Sequence, residues 1–391
     1  MSWLFIGSII PSLLIAWLLS YAVRRYARRW GLVDLRSNEP PRSDREGRGP
    51  IPTGGGIAIW AAVVLPLAAG TVLLGFLPAH LATSQSGELG SLWNFVGPHL
   101  AGLERQSGKL WILLGCGTLL MLLGLFDDRY NLDWRLRILF QTLVACLMVW
   151  QGWQLSFFVD LPLVTAAASI VWIVGLINTF NMLDNMDGLA AGVAAIVVGI
   201  LTAVILTAPH SIRNGPQLFV AGLLLVLLGA LLGFLWHNVA PAKLFMGDAG
   251  SYFIGFCIAA ATISATFAGE GLPRHAILAP LCVLAIPIYD TLTVIWIRCR
   301  EGRSPFAGDT NHISHRLVDL GLSRRGAVTL LYLATAASGL GAFSLHLVNM
   351  QGAILVLLGI GGLLWLVATL ELTARRRRQQ RPTEPSEQQP E

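Results

Sequence analysis

Apolar residues occur along the chain in long runs separated by shorter polar stretches. A helix that crosses a bilayer needs about 20 mostly apolar residues. Eleven runs approach or reach that length, and the two least distinct are the fourth and the fifth. The runs are 3–23, 54–78, 109–126, 137–152, 161–177, 188–207, 217–235, 251–268, 276–297, 327–346 and 352–371. The pattern predicts an all-α integral membrane protein with about 11 transmembrane helices.

The composition strengthens this prediction. Of 391 residues, 54% are hydrophobic and 13% are charged, whereas soluble domains have about 25% charged residues. No polar linker divides the runs, so we expect one polytopic domain over residues 1–371 and a disordered basic and polar cytoplasmic tail over 372–391. The five cysteines lie in or beside apolar runs without metal-binding spacing, and we interpret them as small core residues.

The distribution of basic residues predicts the orientation. With the N-terminus outside, all but four of the 27 Lys and Arg residues fall on the cytoplasmic side. The four exceptions are Arg105, Lys109, Arg213 and Arg274. Membrane proteins keep basic residues in cytoplasmic loops, so we expect an external N-terminus and a cytoplasmic C-terminus. The first run is followed by basic residues and not preceded by them, which indicates an uncleaved helix.

Four polar clusters lie at the predicted cytoplasmic ends of the runs. They are G-L-F-D-D-R-Y-N-L-D at 124–133, N-T-F-N-M-L-D-N-M-D-G at 178–188, K-L-F-M-G-D-A-G-S at 243–251 and N-H-I-S-H-R at 311–316. Asp127 and Asp128 would point about 100° apart on a helix, so a shared role is not expected. In the second cluster polar residues recur every three positions, so neighbouring pairs can share a helical face.

Each cluster also has a structural interpretation. Asp127 and Asp128 could end a helix at the headgroups, the second cluster could be a loop with helix caps, and Asp248 could be a turn residue. His312 and His315 could be solvated. All four clusters are nevertheless predicted to lie on the same side of the membrane, which favours one shared site. Carboxylate and amide oxygens suit Mg²⁺, while arginine and histidine suit phosphates. The combination predicts metal-assisted phosphoryl chemistry at the inner membrane surface.

These motifs resemble the polyprenyl-phosphate N-acetylhexosamine-1-phosphate transferase superfamily, glycosyltransferase family 4. The resemblance runs from about Gly31 to Leu322 and follows the order of the family's motifs. Besides the four clusters it includes G-L-V-D at 31–34, P-I-P-T-G-G-G at 50–56 and P-I-Y-D-T at 287–291. The family includes undecaprenyl-phosphate GlcNAc-1-phosphate transferases and the phospho-MurNAc-pentapeptide translocase.

The resemblance implies a reaction and its partners. A polyprenyl phosphate attacks the β-phosphate of a UDP-sugar, giving a polyprenyl-diphospho-sugar and UMP, with Mg²⁺ or Mn²⁺ as cofactor. The implied partners are a UDP-N-acetylhexosamine, undecaprenyl phosphate and a second copy of the chain, and no nucleic acid. The implied location is the bacterial inner membrane, with the active site facing the cytoplasm.

The resemblance also implies residue roles. Asp248 and Asn181 correspond to metal ligands, and Asp127 and Asp128 would position or deprotonate the lipid phosphate. The remaining implied site residues contact the nucleotide, the diphosphate or other parts of the substrates. They are Asp184 and Asp187 at the nucleotide, His312, His315, Arg303 and Arg316 at the diphosphate, and Asn178 and Lys243 as further substrate contacts.

Three positions depart from the family pattern. Asn185 stands where the family usually has Gly, Ser314 replaces a histidine of the box, and Gly47 replaces a loop histidine. The box H-I-S-H-R-L is closer to the HexNAc-1-phosphate transferases than to the translocase, so UDP-GlcNAc is the expected donor and UDP-MurNAc-pentapeptide the alternative.

Two further interpretations stay open. A secondary transporter would place carboxylates near the bilayer midplane, often within inverted repeats. Here the carboxylates lie at helix ends and no repeat is evident. Asp290 lies about two turns inside a predicted helix, where an ionisable residue is costly. It is either a structural partner or a site residue.

Overall fold

The regular structure of the chain is helical. A computed structural model describes residues 2–33, 51–76, 100–155, 161–207, 217–265, 267, 273–305 and 311–380. Within these ranges the one extended pairing is an isolated bridge between Val33 and Pro52. The predicted all-α membrane class is confirmed.

Thirteen α-helices and one 3₁₀ helix occur in the described part of the chain. The α-helices are α1 Ser2–Tyr26, α2 Gly55–Phe76, α3 Leu100–Tyr130, α4 Trp134–Trp150, α5 Pro162–Leu183, α6 Leu189–Thr207, α7 Leu218–Asn238, α8 Gly247–Ser264, α9 Ala279–Val283, α10 Ala285–Arg300, α11 Ile313–Asp319, α12 Arg324–Ser344 and α13 Met350–Gln380. The 3₁₀ helix is Arg274–Leu278 and leads directly into α9.

Helices coincide with all eleven predicted runs, but they do not all have the properties of a simple span. Eight described helices are long and apolar enough to cross a membrane, and a ninth span arises if the segments Arg274–Val283 and Ala285–Arg300, bent by 66°, count as one. Helix α4 has only 17 residues. The count of eleven and the orientation therefore stay predictions.

Two details differ from the sequence predictions. Helix α13 continues to Gln380, past the predicted start of the tail at residue 372, because its arginine run has good helix propensity. Residues 381–391 lie outside the described part. Among the cysteines, Cys116, Cys257 and Cys282 are buried, but Cys146 and Cys299 are exposed, so the core interpretation is wrong for these two.

Helix α8 is the central helix of the half that carries the aspartates. All of its residues except Asp248 and Ser264 are buried, and it packs against α2, α3 and α5. Two glycines permit this approach. A Cβ on Gly56 would lie 2.2 Å from the Gly250 nitrogen, and one on Gly124 would lie 2.4 Å from Ala249. The beginning of α8, including Asp248, is therefore enclosed between α2 and α3.

Candidate active site

Asp127 is a buried carboxylate with three hydrogen-bond donors. It lies near the end of α3 and is 1% exposed. One oxygen accepts from Arg137 Nη1 at 2.9 Å and from the Tyr252 hydroxyl at 2.7 Å. The other oxygen accepts from the Leu132 backbone N–H at 2.9 Å. These three donors fix the position of the Asp127 carboxylate between the end of α3, α4 and α8.

Asp128 has different partners, although it is the next residue. Its Oδ1 accepts from the backbone N–H of Asp248 at 2.9 Å, and its Oδ2 accepts from that of Ala249 at 3.3 Å. It therefore satisfies two of the free N–H groups at the start of α8, where a negative charge is favourable. Gly247 has a φ of +73°, and a Cβ there would lie 2.5 Å from Asp128.

Asn181 and Asp248 are in direct contact. Asn181 Nδ2 donates to Asp248 Oδ1 at 2.7 Å and to Ser251 Oγ at 3.1 Å. Because both N–H groups of the amide are used, the amide oxygen is the atom of Asn181 that can face a cation. Asp128, Asp248 and Asn181 thus bring two carboxylates and one amide oxygen to the start of α8.

The second polar cluster is divided between a helix and a turn. Helix α5 ends at Leu183 and Asp184 is its C-cap. Asn178 and Asn181 are therefore on the helix, whereas Asp184 and Asp187 are in the following turn, so the four residues do not continue as one helical stripe.

Contacts from two other segments hold this turn. Asp187 Oδ2 accepts from the Ala242 backbone N–H at 2.9 Å, and Asn238 Oδ1 accepts from the Gly188 N–H at 3.1 Å. The Tyr332 hydroxyl donates to the Gly188 carbonyl at 2.5 Å. These tertiary contacts explain why the chain leaves the helix at this point.

The histidine box is helical and is anchored by Asp290. His312 is the N-cap of α11. Asp290, 1% exposed on α10, accepts from His312 Nδ1 at 2.9 Å and from the Ile313 backbone N–H at 2.7 Å. Arg316 Nη2 lies 3.8 Å from the same carboxylate and donates to Thr293 Oγ1 at 3.3 Å. The structure thus shows Asp290 as a partner of the box, and His312 keeps Nε2 for another contact.

Ser314 and Asn185, two of the departures from the family pattern, are hydrogen-bonded to each other. Ser314 is fully buried, and its hydroxyl donates to Asn185 Oδ1 at 2.6 Å. Asn185 Nδ2 in turn donates to the Met182 carbonyl at 3.0 Å. The pair connects the histidine box to the turn after α5. The third departure, Gly47, lies outside the described residues.

Three predicted substrate contacts have other positions or partners. Arg303 donates to Glu301 at 2.9 and 2.5 Å, and both side chains are more than one-third exposed. Lys243 is exposed. Asn178 Nδ2 donates to Gln141 Oε1 at 2.6 Å. The roles of Arg303, Lys243 and Asn178 as substrate contacts stay predictions.

His315 differs from His312 in its surroundings. Burial, with His312 and Arg324 nearby, lowers the pKa of His315 to about 4, although Asp319 and Asp290 act in the opposite direction. His315 is therefore neutral near pH 7 and can act there as a hydrogen-bonding group without charge.

This lowered pKa predicts a pH dependence of stability. Between pH 6.5 and about 4 the unfolded chain binds a proton at this position and the folded chain does not. The folded state should lose stability as the pH falls through that range, and His315→Gln should weaken the loss. Thermal unfolding of the detergent-solubilised wild type and His315→Gln at pH 7.5, 6 and 5 measures this loss of stability. Equal pH dependence in both proteins would contradict the pKa assignment.

Sequence reasoning missed four residues that support the site, Arg137, Tyr252, Asn238 and Gln141. In the sequence, Arg137 is a basic residue at the start of the predicted run 137–152, and nothing there marks it as a partner of Asp127. Tyr252 lies four residues after Asp248, so it follows the same helical face. Gln141 lies four residues after Arg137 in the same way. Of these four, only Tyr252 lies one helical turn from a predicted site residue, so a sequence signal was available for Tyr252 alone.

Comparison with known proteins agrees with this geometry. A family model described as glycosyl transferase family 4 matches residues 110–266. The probable undecaprenyl-phosphate N-acetylglucosaminyl 1-phosphate transferase of Bacillus subtilis (strain 168) is 30% identical over 333 residues, which cover 83% of this chain and 80% of that protein. The chain belongs to glycosyl transferase family 4.

Other relatives in glycosyl transferase family 4 cover similar parts of the chain. The decaprenyl-phosphate N-acetylglucosaminephosphotransferase of Mycolicibacterium smegmatis is 35% identical over 283 residues, covering 66% of this chain and 69% of that protein. The undecaprenyl-phosphate alpha-N-acetylglucosaminyl 1-phosphate transferase of Escherichia coli (strain K12) is 25% identical over 350 residues, with 84% and 80% covered. The family match includes the first three polar clusters and ends before the histidine box.

Proposed function

We propose that the protein transfers GlcNAc-1-phosphate from UDP-GlcNAc to undecaprenyl phosphate and releases UMP. The observation that carries the proposal is the group formed by Asp128, Asp248 and Asn181 at the start of α8, in a chain whose relatives are named for transfer to undecaprenyl or decaprenyl phosphate. These names favour the transferase over the pentapeptide translocase and over a secondary transporter.

Mg²⁺ is the proposed cofactor, and the donor set fits it. Mg²⁺ usually binds through one or two carboxylates together with substrate phosphates and water. No group of three or more His, Cys, Asp or Glu side chains suited to a metal occurs in the described ranges. Asp248 would supply a carboxylate oxygen and Asn181 an amide oxygen. When bound, the ion would neutralise charge on the diphosphate as the phosphorus–oxygen bond to UMP breaks.

The protein side chains would act mainly by positioning. The second pKa of a phosphate monoester is about 6, so the acceptor phosphate is largely deprotonated near pH 7 and needs no strong base to attack. The Asp127 carboxylate already accepts hydrogen bonds from Arg137 and Tyr252. The Asp128 carboxylate accepts from the backbone at the start of α8. We therefore assign the two aspartates to holding α4 and α8 around the reacting phosphates.

The histidine box would contact the diphosphate of the donor. His312 and Arg316 both contact Asp290, so one anchored helix would present an imidazole and a guanidinium to the diphosphate. Arginine binds phosphate oxygens through two parallel hydrogen bonds. Stabilising the leaving UMP in this way would lower the barrier without a covalent step.

The test is transfer of radiolabelled GlcNAc-1-phosphate to undecaprenyl phosphate by the purified protein. The expected result is label in the lipid fraction, stoichiometric UMP, and reverse exchange with added UMP. UDP-MurNAc-pentapeptide is assayed in parallel as donor. Turnover of the pentapeptide donor alone would replace this proposal with the translocase function.

We also propose that the site faces the cytoplasm across a bacterial inner membrane. Several arginines near these helix ends lie over aromatic rings, an arrangement suited to a membrane interface. The pairs are Arg24 with Tyr21, Arg29 with Tyr26, Arg129 with Tyr130, Arg135 with Trp134, and Arg300 with Trp296, at 5.3 to 5.8 Å from ring centroids.

Cysteine labelling would test this orientation. In a background without the native cysteines, a cysteine at Asn131, between α3 and α4, should react only after the membrane is permeabilised. A cysteine at Asn349, between α12 and α13, should react with an impermeant reagent in intact cells. Both native residues are exposed. Labelling of the Asn131 position from outside would reverse the proposed orientation.

A further inference from the structure

Gln141 is a buried polar residue inside the predicted membrane domain. It lies on α4 and is fully buried. Its Oε1 accepts from Asn178 Nδ2 at 2.6 Å. Its Nε2 is buried and has no hydrogen-bond partner among the described residues. An unsatisfied buried amide destabilises a fold, so a group that satisfies it has a reason to bind there.

The identity of the unsatisfied atom follows from the neighbouring contacts. Asn178 Nδ2 lies 2.8 Å from the Val174 carbonyl oxygen as well as 2.6 Å from Gln141. The atom facing that carbonyl must be a donor, so it is the NH₂ group of Asn178. The Gln141 atom that faces the same NH₂ must then be the oxygen. Gln141 therefore has its own NH₂ group, with two N–H donors, unsatisfied.

Gln141 lies one helical turn from the proposed site. On α4, Gln141 follows Arg137, the partner of Asp127, by four residues. On α5, Asn178 precedes Asn181 by three residues. Asn181 is in turn the partner of Asp248. Each step is about one turn, or roughly 5 Å along the helix axis. Gln141 and Asn178 thus form a second polar layer, deeper in the membrane domain than the layer of Asp127, Asp248 and Arg137.

We propose that the Gln141 side-chain amide donates to a phosphate oxygen of the polyprenyl phosphate acceptor. This inference rests on the proposed function. The acceptor is the substrate whose phosphate approaches from the bilayer, whereas the nucleotide-sugar enters from water. A neutral amide suits this depth because a second charged donor there would carry a large desolvation cost. Arg137 would remain paired with Asp127 throughout.

Gln141→Leu is the principal test. It removes both donors and also the oxygen that accepts from Asn178. It keeps a similar volume, and Asn178 retains its hydrogen bond to Val174, so the fold should be preserved. We expect the dissociation constant for undecaprenyl phosphate, measured in detergent without donor, to rise by about 10-fold. The KM for undecaprenyl phosphate should rise similarly, with the KM for UDP-GlcNAc unchanged.

Gln151→Leu is the matched control. It makes the same chemical change on the same segment, but Gln151 is exposed at the C-cap of α4. This variant should bind both substrates like the wild type. Gln141→Glu provides a second variant, because it keeps the shape of the side chain, removes both donors and adds a charge that repels phosphate. Its acceptor binding should be weaker than that of the wild type.

The outcomes separate this inference from the function on which it rests. If the wild type neither binds undecaprenyl phosphate nor transfers GlcNAc-1-phosphate to it, the proposed function is wrong and the inference falls with it. If the wild type is active but Gln141→Leu and Gln141→Glu bind the acceptor normally, only the inference is wrong. A selective rise in the KM for UDP-GlcNAc would also overturn it.

Discussion

Asp248→Asn is expected to reduce GlcNAc-1-phosphate transfer by about 10²- to 10³-fold while the protein remains folded, because loss of one well-placed charge-stabilising group in an active site commonly has an effect of this order. The fold should survive because the amide of Asn can still accept from Asn181 Nδ2 through its oxygen. The contacts from Asp128 go to backbone N–H groups and do not depend on the side chain of residue 248.

The assay is the initial rate of transfer at increasing Mg²⁺ concentration, with size-exclusion chromatography and thermal unfolding as checks of folding. Asp133→Asn is the matched control. It makes the same substitution at an exposed residue that caps α4, and Asn can still accept from the Arg135 backbone N–H. The control should keep near wild-type activity. Substantial Mg²⁺-dependent turnover by Asp248→Asn would remove Asp248 from the proposed metal site.

Much of the fold could be predicted because membrane helices are defined by long apolar runs. The apolar runs did not predict where individual helices end or where they bend. Helix α5 stops at Leu183 because the turn after it is held by Asn238, Tyr332 and the backbone of Ala242. These partners lie 50 to 144 residues away in the sequence. The 66° bend between α9 and α10 likewise has no counterpart in the apolar pattern.

The candidate site was predictable as a set of segments, but its pairings were not. Local motifs identified Asp127, Asp128, Asn181 and Asp248. Their partners are far apart in the chain, since Asp128 contacts the backbone of Asp248 120 residues later, and Asp127 contacts Tyr252 125 residues later. A single sequence also gave no reason to select Gln141. Amide side chains show their importance only when the surrounding helices leave one of their atoms without a partner.

Asp290→Asn is expected to lower kcat by about 10²-fold, because a misplaced catalytic group can cost that much without direct contact with the chemistry. Asp290 accepts two hydrogen bonds, one from His312 Nδ1 and one from the Ile313 backbone N–H. An amide presents one acceptor and one donor, so it cannot accept both bonds. If its oxygen accepts from Ile313, its NH₂ group faces His312 Nδ1, and His312 must either take the tautomer with its proton on Nε2 or turn away. If its oxygen accepts from His312 instead, α11 loses its anchor.

A double-mutant cycle decides whether Asp290 acts through His312. Asp290→Asn, His312→Asn and the double variant are compared by kcat and by KM for each substrate, with Asp319→Asn as a charge-matched control on α11 that should have little effect. If Asp290 serves to hold His312, the double variant should be no slower than His312→Asn alone, since residues that act as a unit show non-additive losses. Losses that multiply would assign Asp290 an independent role, and near wild-type activity of Asp290→Asn would show that this anchor is not needed for catalysis.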